Sequence, residues 1–298
     1  MKKYFLLILV AGIIFNASAE LKLEGRFNWN SPQVKKLCPG IEYVQFEQRS
    51  PRILKMAAVR VDLTTPGLRF QMSQRDKDWG KPMPGFEKKY VIRTKRKTCR
   101  QFMEEFVARG DNMVVAVNAT PFGPWEPPWT HTYADGQGLL IDNGILVAPP
   151  IRKRPGFIVK KDGTFTFASF EKNDDLSHIK HAISGFSTIL EKEKIIARKD
   201  ERLAPRTGYG LSADCKTFYI LTADGRQPQY SMGLSQYEVA EMLYYLGASD
   251  ALNMDGGGST TLYIRDQAGM KRLTHYINGY ERLVGGALGI IIDKENKK

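Results

Sequence analysis

Cysteine and histidine are scarce, at three and four in 298 residues. Cys38, Cys99 and Cys215 lie far from one another along the chain, so the paired thiols of a zinc site are lacking. His131, His178, His181 and His275 show no metal-ligand spacing, and each is read as structural or surface. No internal repeat and no low-complexity linker is found. The composition, 42% hydrophobic and 26% charged, excludes collagen, a coiled coil and a multispan membrane protein. One glycine-rich run, Asp255-Gly256-Gly257-Gly258, has no lysine after it, which excludes a Walker phosphate loop.

A single apolar run, Tyr4 to Phe15, follows Lys2 and Lys3. It is short for a membrane span. Ala17-Ser18-Ala19 supplies a small-x-small cleavage pattern, which predicts a signal peptide over 1–19 and a mature start at Glu20. An uncleaved anchor is the alternative. No cysteine follows the run, which argues against a lipoprotein. The expected location is secreted or periplasmic, with no stable membrane span after cleavage. In an oxidising compartment one thiol pair can close; Cys38–Cys99 is the expected pair, and three buried thiols are the alternative.

Basic residues outnumber acidic ones, 44 to 32, for a formal charge of +12. That surplus favours phosphates, nucleic acid or acidic polysaccharide as partners. Export turns the expectation toward glycans and phosphates, and no nucleic-acid-binding motif is present. The basic run Arg93 to Arg100 is read as a solvated face.

The length suits one large domain or two modest ones. Residues 20–110 are expected to form a strand and helix segment, continuous with or separate from a catalytic domain over 111–298. Lys55 to Asp62 predicts a strand, with Leu68 to Gln74 as its partner. Thr98 to Arg109 predicts a helix, and Met113 to Asn118 a buried strand. Asp142-Asn143-Gly144 and Lys161-Asp162-Gly163 mark hairpins. Ser235 to Glu238 is a capping box that opens a second helix, stopped by Gly247. Ala251 to Met254 and Ser259 to Arg265 predict strands on either side of the glycine turn. Helical and hairpin segments alternate irregularly, which leads to an α+β expectation: a curved mixed β-sheet with several helices in a single catalytic domain.

Chemistry is expected where polar groups follow short apolar strands. Asp255 is such a group, and the glycines after it free backbone N–H groups to face an anion. Ser259 and Thr260 add hydroxyl donors. Asp224-Gly225-Arg226 ends another strand in the same way, although Asp-Gly is also an ordinary turn. Arg206 is a candidate anion clamp, because a guanidinium offers two parallel donors. Asn118 ends the buried Met113–Asn118 run. The proline-stiffened loop from Pro121 to Trp129 carries Trp125 and Trp129, whose rings either stack on a sugar or tuck onto the core.

In order and spacing, Pro205-Arg206-Thr207, Ala223-Asp224-Gly225-Arg226, Ser231 to Ser235, Leu246-Gly247-Ala248 and Asn253 to Ser259 resemble the phosphodiester glycosidase domain family. Gly138 to Gly144, Ser184-Gly185 and Glu281-Arg282 are weaker echoes. The departure is Asn118-Ala119-Thr120-Pro121-Phe122, where the family has Asn-Gly-x-Phe-Phe. The resemblance implies hydrolysis at the anomeric carbon of a sugar 1-phosphodiester. Arg206, Asp224 and Asp255 would then be catalytic. Asn118, Arg226, Gly256, Gly257, Gly258, Ser259, Thr260, Trp125 and Trp129 would line the substrate. No cofactor is implied with certainty, and whether a divalent metal joins the carboxylates is left open. A non-catalytic glycan-binding protein on the same fold is the alternative function.

Overall fold

The computed structural model describes residues 21, 23–126, 131–199 and 202–293. The expected signal peptide and Trp129 lie outside them. The described residues form β-sheets with two α-helices, α1 (Cys99–Ala108) and α2 (Gln236–Leu246).

This corrects the α+β expectation twice. Among the described residues there are two α-helices rather than several, and every strand pairing is antiparallel, so the sheets are not mixed. The two helical segments were legible because they carry a 3.6-residue pattern with caps. Between them the described residues form strands, some paired in local hairpins and others across long distances in sequence.

The largest sheet has eight strands, in the order Lys35–Cys38, Ile41–Gln48, Leu54–Asp62, Thr217–Ala223, Arg206–Leu211, Asp250–Asn253, Ser187–Glu191 and Lys194–Ile195. Leu54–Asp62 lies inside it, paired to Thr217–Ala223 over seven residues. Alternation along this strand sorts its side chains to two faces. Met56 and Ala58 pack with Val239, Met242, Leu243 and Leu246 of α2. Ala57, Val59 and Val61 face the central core. Burying one such aliphatic side chain contributes roughly 1.5–3 kcal/mol, so α2 is held chiefly by this face.

Two five-stranded sheets close the other side of the core. One runs Ile145–Ala148, Leu140–Asp142, Ile179–Ser184, Pro155–Lys160, Phe165–Ser169. The second runs Gly269–Arg272, Leu262–Asp266, Met113–Asn118, Ala287–Ile292, Leu68–Met72. Leu68–Met72 therefore pairs with the chain's last strand and not with Leu54–Asp62 as expected. Phe157 stacks on Phe218 at 4.4 Å, joining the first of these sheets to the eight-stranded one. Phe102, Met103 and Phe106 of α1 cover the outer face of the second.

Both helices begin with the capping box their sequences encode, Thr98 with Gln101 and Ser235 with Glu238. Glu238 also meets the buried Arg52 guanidinium at 2.5 Å. The expected Cys38–Cys99 disulfide is absent and all three thiols are free. Cys38 packs at the edge of the central core, whereas Cys99 is fully buried at the start of α1. Burial pushes the Cys38 thiol up to about 11, which leaves it unreactive as a thiol at neutral pH.

Candidate active site

Three strands of the eight-stranded sheet bring the separated motifs together. Arg206 lies opposite Ala223 in one ladder, and Asn253 lies opposite Gly208 in the next. The start of one strand and the ends of its two neighbours thus meet at one edge of the core. A cleft of about 480 Å³ opens there, lined by Trp125, Phe186, Arg206, Arg226, Asn253, Asp255, Gly256, Gly257, Gly258 and Arg282, among others. Its size suits a small ligand.

Asp255 is the acidic residue among the cleft's lining residues and is 3% exposed. Its backbone N–H donates to Ala119 O at 2.9 Å, and its carbonyl accepts from Asn118 Nδ2 at 2.6 Å. Burial disfavours its charged form and raises its pKa to about 7; the Ser259 side chain, Arg282 and Arg154 pull the other way and are outweighed. Asp255 Oδ2 has no hydrogen-bond partner, and neither do Ser259 Oγ, Thr260 Oγ1 and Asn253 Oδ1. Ser259 therefore influences the carboxyl by proximity, without a well-formed hydrogen bond. Unsatisfied buried polar atoms are costly, and these gather around the cleft floor.

The three glycines form the back wall. Gly257 N–H donates to Pro205 O at 2.8 Å, drawing the turn against the Arg206 strand. A Cβ on Gly256 would stand 2.9 Å from Pro205 O. Gly257 has φ +60°, and a Cβ there would stand 3.2 Å from Arg226 Nη1. A Cβ on Gly258 would stand 2.5 Å from Arg282 Cζ. Two guanidinium groups lie directly on this backbone, so a Cβ at Gly257 or Gly258 would push against them. The turn itself is a short 3-10 segment, Gly257–Ser259, so the following strand starts at Leu262 and not at Ser259 as expected.

Arg206 is half-exposed on the cleft wall, its Nε donating to Leu234 O and its Nη2 to Arg202 O, both at 3.0 Å. Arg282 lies over the Trp125 ring at 5.4 Å. Trp125 packs against the fold, stacked on Phe122 at 5.3 Å, and is 38% exposed where it lines the cleft. Arg96 supports the loop from behind, with Nη2 donating to Pro124 O at 2.9 Å and its guanidinium over Phe122.

Four expected site residues, Asn118, Asp224, Ser259 and Thr260, are outside the cleft lining. Asn118 is wholly buried: its Oδ1 accepts from Thr207 Oγ1 and Thr261 N, and its Nδ2 holds Asp255 O. It braces the catalytic candidate from behind and does not line the cleft. Asp224 is also buried and outside the cleft lining. Its Oδ1 accepts from His275 N at 2.8 Å, fixing the 275 loop. Burial raises its pKa to about 6, with His275 and Arg272 opposing. Ser259 and Thr260 stand under the floor. Four residues that sequence reasoning did not assign are Phe186, Asn253, Arg282 and Arg154, which holds Gln137 O at 2.6 Å and lies over Phe186. Two of them had a signal, Asn253 as the first residue of the Asn253 to Ser259 run and Arg282 as part of the Glu281-Arg282 echo.

The basic run near α1 is not a free cationic face. Arg96 is buried, Arg93 faces Asp135 at 3.5 Å, Lys97 pairs with Glu105 and Arg100 with Glu104. Among the described residues no group of three or more His, Cys, Asp or Glu side chains stands together as a metal site. Nor is any described helix long and apolar enough to cross a membrane.

Fold and cleft define a mostly β domain of several antiparallel sheets, with a cleft that sets one buried acid among arginines. The phosphodiester glycosidase family profile matches residues 111–291, and the chain belongs to that family. No curated protein sequence matches the chain. Among solved structures, the chain is similar to the zebrafish N-acetylglucosamine-1-phosphodiester alpha-N-acetylglucosaminidase catalytic domain auto-inhibited by its pro-peptide. That likeness has a TM-score of 0.60 and 19% identity, over 92% of this chain and 87% of that one. A hypothetical protein from Synechocystis gives a TM-score of 0.61 at 14% identity, over 89% of this chain and 64% of that one. At these identities the likeness is one of fold.

Proposed function

We propose that the protein hydrolyses the anomeric C–O bond of a sugar 1-phosphodiester and releases a phosphate monoester. The observation that carries this reading is the unpartnered Oδ2 of Asp255, buried in a cleft lined by Arg206, Arg226 and Arg282. Such a cleft suits an anion held beside a group that moves a proton.

In this reading the guanidinium groups bind the phosphate and neutralise charge as it leaves. A phosphate monoester departs as a stable anion, so the need for a general acid is small. Water attacks the anomeric carbon, its proton passes to Asp255, and the C–O electron pair stays on the phosphate oxygen. A base with a pKa near 7 is well placed for this at neutral pH. The cleft lining supplies one carboxyl, and Asp224 is engaged with His275. A single carboxyl acting on water supports inversion at the anomeric carbon. Trp125 and Phe186 offer ring faces to the sugar, and Asn253 Oδ1 is a buried acceptor for a sugar hydroxyl or amide N–H. The cationic cleft favours sugar-phosphate or anionic polysaccharide ligands. We extend the reading to an exported enzyme on the signal-like segment 1–19.

The test is a panel of sugar 1-phosphodiesters, with the released sugar followed by NMR so that its first-formed anomer is seen. Release of free sugar with inverted configuration is expected. Binding of the same compounds without turnover would replace this reading by the glycan-binding one.

A further inference from the structure

Arg282 reaches the cleft from a stretch without regular structure, between Leu273 and Val284. Its guanidinium nonetheless rests in one place, on Gly258 and over Trp125. Two attachments hold the chain on either side. Lys97 and Val284 exchange both backbone hydrogen bonds, at 3.2 and 2.8 Å. The other attachment is made by the residue directly before Arg282. Glu281 Oε2 accepts from Tyr263 OH at 2.9 Å, and Glu281 Oε1 accepts from the Arg100 backbone N–H at 3.3 Å.

The second partner matters because of where it lies. Arg100 is in the first turn of α1, where backbone N–H groups lack partners within the helix and positive partial charge accumulates. That turn contains no acidic residue of its own. Glu281 supplies the missing anion from 181 residues away in sequence. Tyr263, the other partner, is on the strand that leaves the glycine turn. Glu281 therefore ties the Arg282 segment both to a helix end and to the strand continuing from the cleft's back wall. Burial disfavours its charge, and the Tyr263 hydroxyl and the α1 N–H groups work against that.

We propose that Glu281 is a positioning residue: its bonds to Tyr263 and to the α1 N-terminus hold Arg282 against Gly258, where its guanidinium meets the substrate phosphate. The inference rests on the phosphodiester reading of the cleft. It makes a prediction opposite in sign to simple electrostatics. Removing an anion beside a phosphate site ought to tighten anion binding, whereas losing the position of a clamp ought to weaken it.

The experiment is calorimetric titration of the full chain with inorganic phosphate, as a double-mutant cycle of Glu281→Ala and Arg282→Ala. One charge-assisted clamp contributes on the order of tenfold or more in affinity. Arg282→Ala should weaken phosphate by about that factor, and Glu281→Ala by roughly threefold to tenfold. The double variant should be no weaker than Arg282→Ala alone. Glu281→Gln, which keeps an acceptor for Tyr263, should recover most of the loss. If Glu281→Ala does not fold, Tyr263→Phe takes its place in the cycle. Unchanged or tighter phosphate binding in the Glu281 variant, or losses that simply add, would overturn the positioning role and leave the cleft reading intact. No phosphate binding by the wild-type chain would instead remove the cleft reading and this inference with it.

Discussion

Replacing Asp255 by asparagine should make the protein more stable at neutral and alkaline pH while removing its activity. Protonation of a buried group and folding of the chain are linked. Asp255 is 3% exposed, and its pKa is about 7 against 3.8 for an ordinary carboxyl. The folded state thus holds the Asp255 proton more tightly than the unfolded state does. Its contribution is complete below pH 3.8 and is lost as pH rises toward 7, after which the penalty stays constant. At 1.36 kcal/mol per pH unit, the full cost of charging Asp255 in place is about 4 kcal/mol, and relaxation and water entry reduce this to about 2–4 kcal/mol. Asparagine has nearly the same shape and never pays it. Urea unfolding of wild type and Asp255→Asn at pH 4, 6 and 8 measures the difference. The variant's advantage should be under about 1 kcal/mol at pH 4 and should grow to about 2–4 kcal/mol at pH 8. Turnover of a sugar 1-phosphodiester by the variant should be lost at all three. A difference that does not change with pH would refute the idea that Asp255 is a buried, strained carboxyl. A pH-dependent gain with full activity would keep the electrostatics and remove the catalytic role.

Arg206→Ala should lower kcat/KM for a sugar phosphodiester by about tenfold to a few hundredfold, and Arg206→Lys should retain part of the rate because charge survives without the planar fork. An uncharged aryl glycoside of the same sugar should be affected far less, and equal losses on both substrates would remove the phosphate-clamp role. Gly258→Ala should raise KM while the fold survives, because the new methyl displaces the flexible Arg282 guanidinium rather than backbone; a wild-type KM would show that Arg282 does not bind the substrate there. Intact mass of the exported protein should correspond to a chain starting at Glu20, and retention of Met1 in a membrane fraction would defeat the cleavage expectation.

Local features were legible in the sequence because their signals are local. The two capping boxes, the hairpins at Asn143-Gly144 and Asp162-Gly163, and the buried run Met113 to Asn118 all formed where their residues pointed. What failed was long-range pairing. Leu68–Met72 looked like the partner of the strand beside it, yet its ladder is completed by Ala287–Ile292, and no pattern within either segment encodes the other. The fold class went wrong for the same reason: short strands without visible partners left room for helices that the described residues do not form. At the site, Asp255 and its glycines were legible because three adjacent glycines weaken any fold that does not need them. Asn118 was misplaced because a polar strand end faces a ligand or a neighbouring backbone with equal ease, and only the Asp255 carbonyl 137 residues away decides. Arg282 emerges from an irregular segment and has no local pattern of its own.

The back wall of the cleft is main chain. Gly256 in the lining lies against Pro205, and outside the lining Gly225 lies against Ala204 and Pro205 and Gly233 against Ala204, each so near that an added methyl carbon would fall within 2.9 Å of backbone. Saturation mutagenesis of this region should consequently give a two-part map. These glycine positions would accept no other residue, while the arginines and aromatic rings at the mouth would accept many at graded cost. Where the wall lies against backbone it cannot be recontoured by a single substitution, in contrast to Gly258, whose near neighbour is the movable Arg282 side chain. Altered substrate preference, whether selected in the laboratory or in nature, would have to arise at the rim around Trp125 and Phe186, with the wall behind it passed on unchanged.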